Sequence, residues 1–272
     1  KGGQSGELMS LLAEELECSE DAIVDFELSL FDTQGCVLSG GRSEFMGGSR
    51  LDNLASCFVA VESLIDHAEG SLAEDKEVSM IALFDHEEVG SSSNTGAGSP
   101  IMRDAVSRIS ACFTDDGEDS EVFKVSLAKS MIFSVDMAPA VPPNYASKHE
   151  KEHSPKMNAG VVIKSNANQR YATTGVTAFI TREIARRAGV PIQEFVVRND
   201  CPCGSTIGPI ITSNTGIRAI DLGMPQLSMH SIRETMGMSD LTYAHRLFTA
   251  FFQQFSAVDA FMRVDDVPTE GK

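Results

Sequence analysis

The segment Leu83-Phe84-Asp85-His86-Glu87-Glu88-Val89-Gly90-Ser91 sets two carboxylates side by side at the end of an apolar run. Adjacent carboxylates repel each other unless a cation or a proton offsets them. One chemistry calls for both: one carboxylate holds a metal while its neighbour acts as general base toward a water. Three other segments carry groups suited to join them. Asp52 opens a helical pattern in Arg50-Leu51-Asp52-Asn53-Leu54, Asp136 ends the run Met131-Ile132-Phe133-Ser134-Val135, and His230 ends Gln226-Leu227-Ser228-Met229. Singly, each has a plain explanation: a solvated acidic turn for Glu87-Glu88, a helix N-cap for Asp52, a hydrogen-bonded core histidine for His230. Together they are the ligand set of a dinuclear zinc site, with one carboxylate to spare as base. Two such metals lie about 3.5–4 Å apart, share a bridging carboxylate and activate water against an amide carbonyl.

The elements that must position these groups read as alternating strands and helices. Apolar spacing predicts helices over 7–17, 52–69, 100–113, 173–188 and 240–258. On the 52–69 helix, Leu54, Cys57, Phe58, Val61 and Leu64 fall on one face. Strands are expected at 24–30, 77–84, 131–135, 160–163, 194–197, 217–222 and 226–229. The acidic run 115–119 reads as a solvated loop. This alternation argues an α/β domain with a central, mainly parallel β-sheet flanked by helices. The acidic and imidazole groups then fall at strand and helix ends, where such sheets build their ligand crevice.

Composition narrows the function classes. The 272 residues are 42% hydrophobic, enough for one large core, and carry a net charge of −17 from 22 basic and 39 acidic side chains. That field repels nucleic acid and anionic membranes, and both are set aside as partners. No run approaches the roughly 18 apolar residues of a membrane span. Cys18, Cys36, Cys57, Cys112, Cys201 and Cys203 are scattered, as reduced thiols of a cytoplasmic protein would be. His149-Glu150-Lys151-Glu152-His153 matches a single-zinc peptidase motif in letters alone. Its flanks, Lys148 to Lys156, have no apolar residue but Pro155, so the buried helix that motif needs is not expected.

The whole chain resembles the aspartyl aminopeptidase family of zinc metallopeptidases. The likeness rests on Phe31-Asp32-Thr33-Gln34, Arg50-Leu51-Asp52-Asn53-Leu54, Glu87-Glu88-Val89-Gly90-Ser91, Pro143-Asn144-Tyr145 and Lys148-His149-Glu150. It continues through Asn168-Gln169-Arg170-Tyr171-Ala172, Arg198-Asn199-Asp200, Cys203-Gly204-Ser205-Thr206-Ile207-Gly208-Pro209 and Met229-His230-Ser231-Ile232-Arg233-Glu234. The resemblance implies a zinc exopeptidase-like fold and removal of N-terminal Asp or Glu from peptides. It implies Glu87 as general base, Asp52 as bridging ligand, Glu88 and His230 on one zinc, and Asp136 on the other. Lys164 is implied as the cation that meets the substrate's acidic side chain, with Tyr171 beside the substrate. It further implies two Zn2+ per subunit in a complete enzyme and a dimer-based homo-oligomer, up to a dodecamer. Residues 1–34 resemble the tail of an inserted oligomerisation domain, and 35–272 the C-terminal part of the catalytic domain.

Two departures stand out. The family's upstream His-x-Asp segment has no counterpart here, which leaves one fully liganded zinc site and a second with only Asp52 and Asp136. Pro139 and Pro142 stand where family members usually carry histidines, and proline neither donates nor binds metal. The alternatives are a non-catalytic or truncated subunit of the same fold, or a related two-metal aminopeptidase of other specificity.

Overall fold

Ladder partners, more than hydrophobic pattern, decide which segments of this chain become strands. The computed structural model describes residues 6–114, 120–262 and 264, and the chain falls into two units, Lys1–Thr33 and Gln34–Lys272. In the first, α1 (Gly6–Glu15) ends before a single 3₁₀ turn, Glu20–Ala22. The strand expected at 24–30 does not form: its alternating apolar residues find no ladder, and Val24 and Leu30 are almost wholly exposed.

In the second unit, β1 (Val37–Ser39) and β2 (Phe45–Gly48) form a hairpin in a glycine-rich stretch that carries no strand pattern. Helix α2 (Leu51–Ser71) follows, then α3 (Ile101–Ala111), α4 (Ser120–Lys129), β3 (Met131–Val135), β4 (Ala138–Pro139) and β5 (Val161–Ser165). The rest is α5 (Gly175–Ala188), β6 (Ile192–Val196), α6 (Ile207–Thr215), β7 (Arg218–Gly223), β8 (Pro225–Leu227), β9 (Glu234–Gly237) and α7 (Met238–Phe261). The strand expected at 77–84 is likewise absent, with Val78 and Leu83 exposed. Without cross-strand hydrogen bonds an apolar run has nowhere to satisfy its backbone as a strand. The run 115–119 lies outside the described residues.

One sheet has the order β3-β7-β5-β6, parallel at β3/β7 and β5/β6 and antiparallel where β5 meets β7. A second sheet, β1-β2-β9-β8-β4, is antiparallel except for its β4/β8 edge. Strand β5 explains why an uninterrupted apolar run belongs at the centre. Val161 and Ile163 join the large core with α2, α5 and α7, while Val162 packs with Ala138, Tyr171 and Phe195. The period-2 alternation of a strand therefore sends Lys164 to the Tyr171 side.

Helix α2 does not turn its most apolar face to the core. The side turned to α7 is built from small or polar residues, Ala55, Ser56, Val59, Ser63 and His67. Leu54 and Phe58 are more than half exposed, and Cys57, Val61 and Leu64 are only partly buried. Small side chains let the two helices approach closely, and polar ones are tied down. The Ser63 hydroxyl donates to the His245 carbonyl (3.2 Å), and His67 pairs with Asp75 (2.7 Å) while stacking on Phe252.

Candidate metal centre

Four separate chain segments converge here. Glu87 and Glu88 lie on a 3₁₀ turn, Glu87–Val89, flanked by His86 and Gly90 in the left-handed region. The Ser91 amide donates back to the His86 carbonyl (2.9 Å), closing the turn so that the two acids leave it as neighbours. Asp52 lies in the irregular first turn of α2, just after Arg50, also left-handed. The adjacent Asn53 side-chain amide donates to the Val135 carbonyl (2.8 Å), which brings the start of α2 to the end of β3. Asp136 is carried by that strand end, its amide bonded to Leu222 of β7 (3.1 Å). A side chain at Gly223 would collide with the Asp136 carbonyl, since an added Cβ falls 1.6 Å from it. His230 sits in the β8–β9 loop with φ +64. Positive φ at non-glycine residues costs energy and clusters at functional sites.

Asp52, Glu88 and His230 each offer a ligand atom, all within 4.8 Å of one another. His230 Nε2 lies 3.3 Å from Asp52 Oδ2 and 3.2 Å from Glu88 Oε1. Around a zinc with bonds of about 2.0–2.2 Å in tetrahedral array, neighbouring ligand atoms lie roughly 3.3–3.6 Å apart. The donor set and spacing fit a zinc ion. Electrostatics supports the same conclusion. Burial, then the facing Asp136, Glu88 and Glu234, push the Asp52 carboxyl up to about 9, so it keeps its proton and shares it with Asp136. Burial also raises Glu87, with Asp136 and Glu88 adding to the effect. For Asp136, burial pulls upward, but the Lys164 ammonium and the hydrogen bond from Asp52 outweigh it and hold the carboxyl low.

Lys164 is where sequence and structure meet least simply. The side chain is fully buried, and its ammonium contacts Asp136 Oδ2 (3.2 Å), the Met137 carbonyl (3.2 Å) and the Tyr171 ring face (5.4 Å). Tyr171 is itself buried, and burial followed by the neighbouring Cys203 raises its hydroxyl. Both residues thus back onto Asp136 rather than onto the Asp52, Glu88 and His230 triad. Pro139 lies in β4, paired with Gln226. The His149–His153 stretch is irregular, as its flanks require.

Sequence reasoning missed Glu234. It is buried at the start of β9, accepting the Asp52 amide at Oε2 (2.9 Å) and the His230 amide at Oε1 (2.8 Å). An acid opening a strand four residues after a candidate ligand histidine was the available signal.

A family model described as aminopeptidase I zinc metalloprotease (M18) matches residues 2–252. The chain belongs to this family. A probable aspartyl aminopeptidase of Ricinus communis is 50% identical over 260 residues, which are 95% of this chain and 52% of that protein. The chain thus spans about half the length of the curated M18 relatives it matches. A cryo-EM structure of an Ape4 and Nbr1 complex aligns with TM-score 0.92 at 43% identity, covering 98% of this chain and 52% of that one. A Saccharomyces cerevisiae mApe1 dodecamer aligns with TM-score 0.85 at 32% identity, over 95% of this chain and 57% of that one. The α/β architecture described above is that of the M18 aminopeptidases. Among the described residues, no helix is long and apolar enough to cross a membrane.

Proposed function

We propose that this chain carries the working half of a metalloaminopeptidase that removes N-terminal Asp or Glu from peptides. The observation that carries the reading is the Asp52, Glu88 and His230 triad at ligand spacing, with a second carboxylate, Glu87, beside it. When bound, zinc lowers the pKa of water and polarises a carbonyl. Glu87 supplies what the metal does not. Its raised affinity for protons suits a group that takes one from water and later returns it to the leaving amine. Asp136, held ionised by Lys164, and Asp52 are the residues that would hold a second zinc. Lys164 brings positive charge into an otherwise acidic cluster, and a substrate carboxylate reaching it would share it with Asp136. Tyr171 presents its ring to that ammonium.

Residues 1–34 are read as the tail of an inserted oligomerisation domain; the division of the chain after Thr33 supports this. The relatives include a dodecameric structure, and a dimer-based homo-oligomer is proposed here too. The scattered free cysteines suit a cytoplasmic location.

The test is hydrolysis of peptides with N-terminal Asp, Glu or Leu after zinc loading. Turnover of the acidic peptides is expected to fall about 10²–10⁴-fold in Glu87→Gln with zinc still bound. Undiminished turnover removes Glu87 as base. A specific observation favours a second reading: Asp136 is tied to Lys164, and Asp52 is its sole proposed fellow ligand at the second metal. If zinc binds and no peptide is cleaved, the chain is a non-catalytic subunit of the fold. Loss of acidic preference in Lys164→Ala supports the proposed specificity, and a wild type that prefers Leu shows a related enzyme of other specificity.

A further inference from the structure

Glu234 lies where three pieces of the molecule meet. Strand β9 pairs with β2, which sets Glu234 opposite Gly48, shortly before the start of α2. It also pairs with β8, and the loop between those two strands carries His230. The side chain is 2% exposed. Its two oxygens divide their work. Oε2 accepts the Asp52 amide (2.9 Å), while Oε1 accepts the His230 amide (2.8 Å) and the Gln226 side-chain amide (3.3 Å). A buried carboxylate is tolerated only where donors meet it. Besides Gln226, the donors here are the backbones of two residues whose side chains face each other at 3.3 Å. Neither backbone has regular structure to fix it. His230 has a positive φ, and Asp52 departs from helical geometry within α2.

We propose that Glu234 is the positioning residue of the metal centre: one oxygen fixes the backbone of Asp52, the other that of His230, and together they set the gap between the two ligands. The proposal rests on the metal reading above and adds a residue that does not itself touch the metal. Groups that orient ligands from behind typically change metal affinity by about 10–100-fold when removed. Neutral Gln has one acceptor oxygen in place of two and turns an amide N–H toward one of the two backbone donors. Asp is one methylene shorter and reaches one amide at most.

Cobalt(II) titration followed by visible absorption reads both affinity and coordination geometry, independent of peptide turnover. Glu234→Gln is expected to weaken cobalt binding about 10–100-fold and to shift the absorption bands. Glu234→Asp gives the same result in a variant that keeps the charge, and it stands alone if the Gln variant does not fold. Asp240→Asn, at a similarly buried carboxylate whose donors are the Asn158 and Gly160 amides and not those of any proposed ligand, is expected to leave cobalt affinity within about threefold, as independent sites do. A wild-type spectrum and affinity in whichever Glu234 variants fold overturns the proposal. So does an Asp240→Asn loss as large as theirs, which would mark a general response to disturbed burial. A wild type that gives no cobalt bands sinks the metal reading itself, and the proposal falls with it.

Discussion

Asp52 and Asp240 occupy matching places with opposite surroundings. Each lies in the first turn of a long helix, α2 and α7, and these two helices pack on each other. Each is poorly exposed. Asp240 is met by backbone donors: the Asn158 amide reaches Oδ2 (2.6 Å) and the Gly160 amide reaches Oδ1 (2.9 Å). Burial raises its carboxyl, the amides pull it back, and it settles at about 6. Asp52 is met instead by Asp136, Glu88 and Glu234, with the His230 imidazole (3.3 Å) set against them, and settles at about 9. The same residue type at similar depth is structural where amides surround it. Where carboxylates surround it, it needs a proton or a cation. Metal sites can be recognised by that shortage of donors before any ion is seen.

The largest effect expected from this contrast separates binding from stability. Asp52→Asn keeps a donor toward Asp136 without having to trap a proton. The folded wild type holds that proton although the unfolded chain, with an ordinary carboxyl near 3.8, releases it at pH 8. A folded-state value raised in this way means stability falls as pH climbs from about 4 toward about 9. Asp52→Asn is therefore expected to raise the unfolding free energy of the metal-free protein at pH 8, read by urea titration, by about 5 kcal/mol. It should also bring zinc binding below detection by calorimetry. A variant that is less stable, or that still binds zinc as the wild type does, breaks the contrast.

Asp240 gives the smaller counterpart. Its value of about 6 against an ordinary 3.8 places the loss of stability between roughly pH 4 and pH 6, worth about 3 kcal/mol. In Asp240→Asn that part of the decline is expected to vanish, with zinc affinity unchanged. Parallel wild-type and variant profiles of unfolding free energy against pH would show that burial does not set this group's behaviour.

Much of this was legible beforehand, for identifiable reasons. Met131–Val135, apolar but for Ser134, and the apolar β5 run have chain on both faces, and strands at 131–135 and 160–163 follow from that. Asp52, Glu88 and His230 announce themselves as metal-binding residue types, and the structure brings them together. Glu234 stayed hidden because its role lies in which backbone amides it accepts, and composition does not reveal that. Lys164 was readable as a cation near the site but not as a buried partner of Asp136. The segments 24–30 and 77–84 show strand patterns, yet a strand also needs a neighbour, and pattern carries no information about neighbours. The glycine-rich β1–β2 hairpin makes the converse point, pairing without any pattern.

The smallest effect concerns the outer face of α2, which bears on how far the packing of Asp52's own helix is rightly understood. The pattern of apolar residues assigns Leu54 and Phe58 to the core. The structure gives that place to Ala55, Ser56, Val59 and Ser63, whose small side chains face α7. The two readings differ sharply in energy. Removing a buried Leu or Phe costs roughly 2–5 kcal/mol, while surface changes usually stay within about 0.5 kcal/mol. Leu54→Gln and Phe58→Gln are therefore expected to move the urea midpoint of this protein barely at all, whereas Val59→Gln, which buries an unsatisfied amide against α7, should unfold it at far lower denaturant. Equal losses at positions 58 and 59 would restore the pattern's face and rotate Asp52's helix away from the arrangement that sets it beside Asp136.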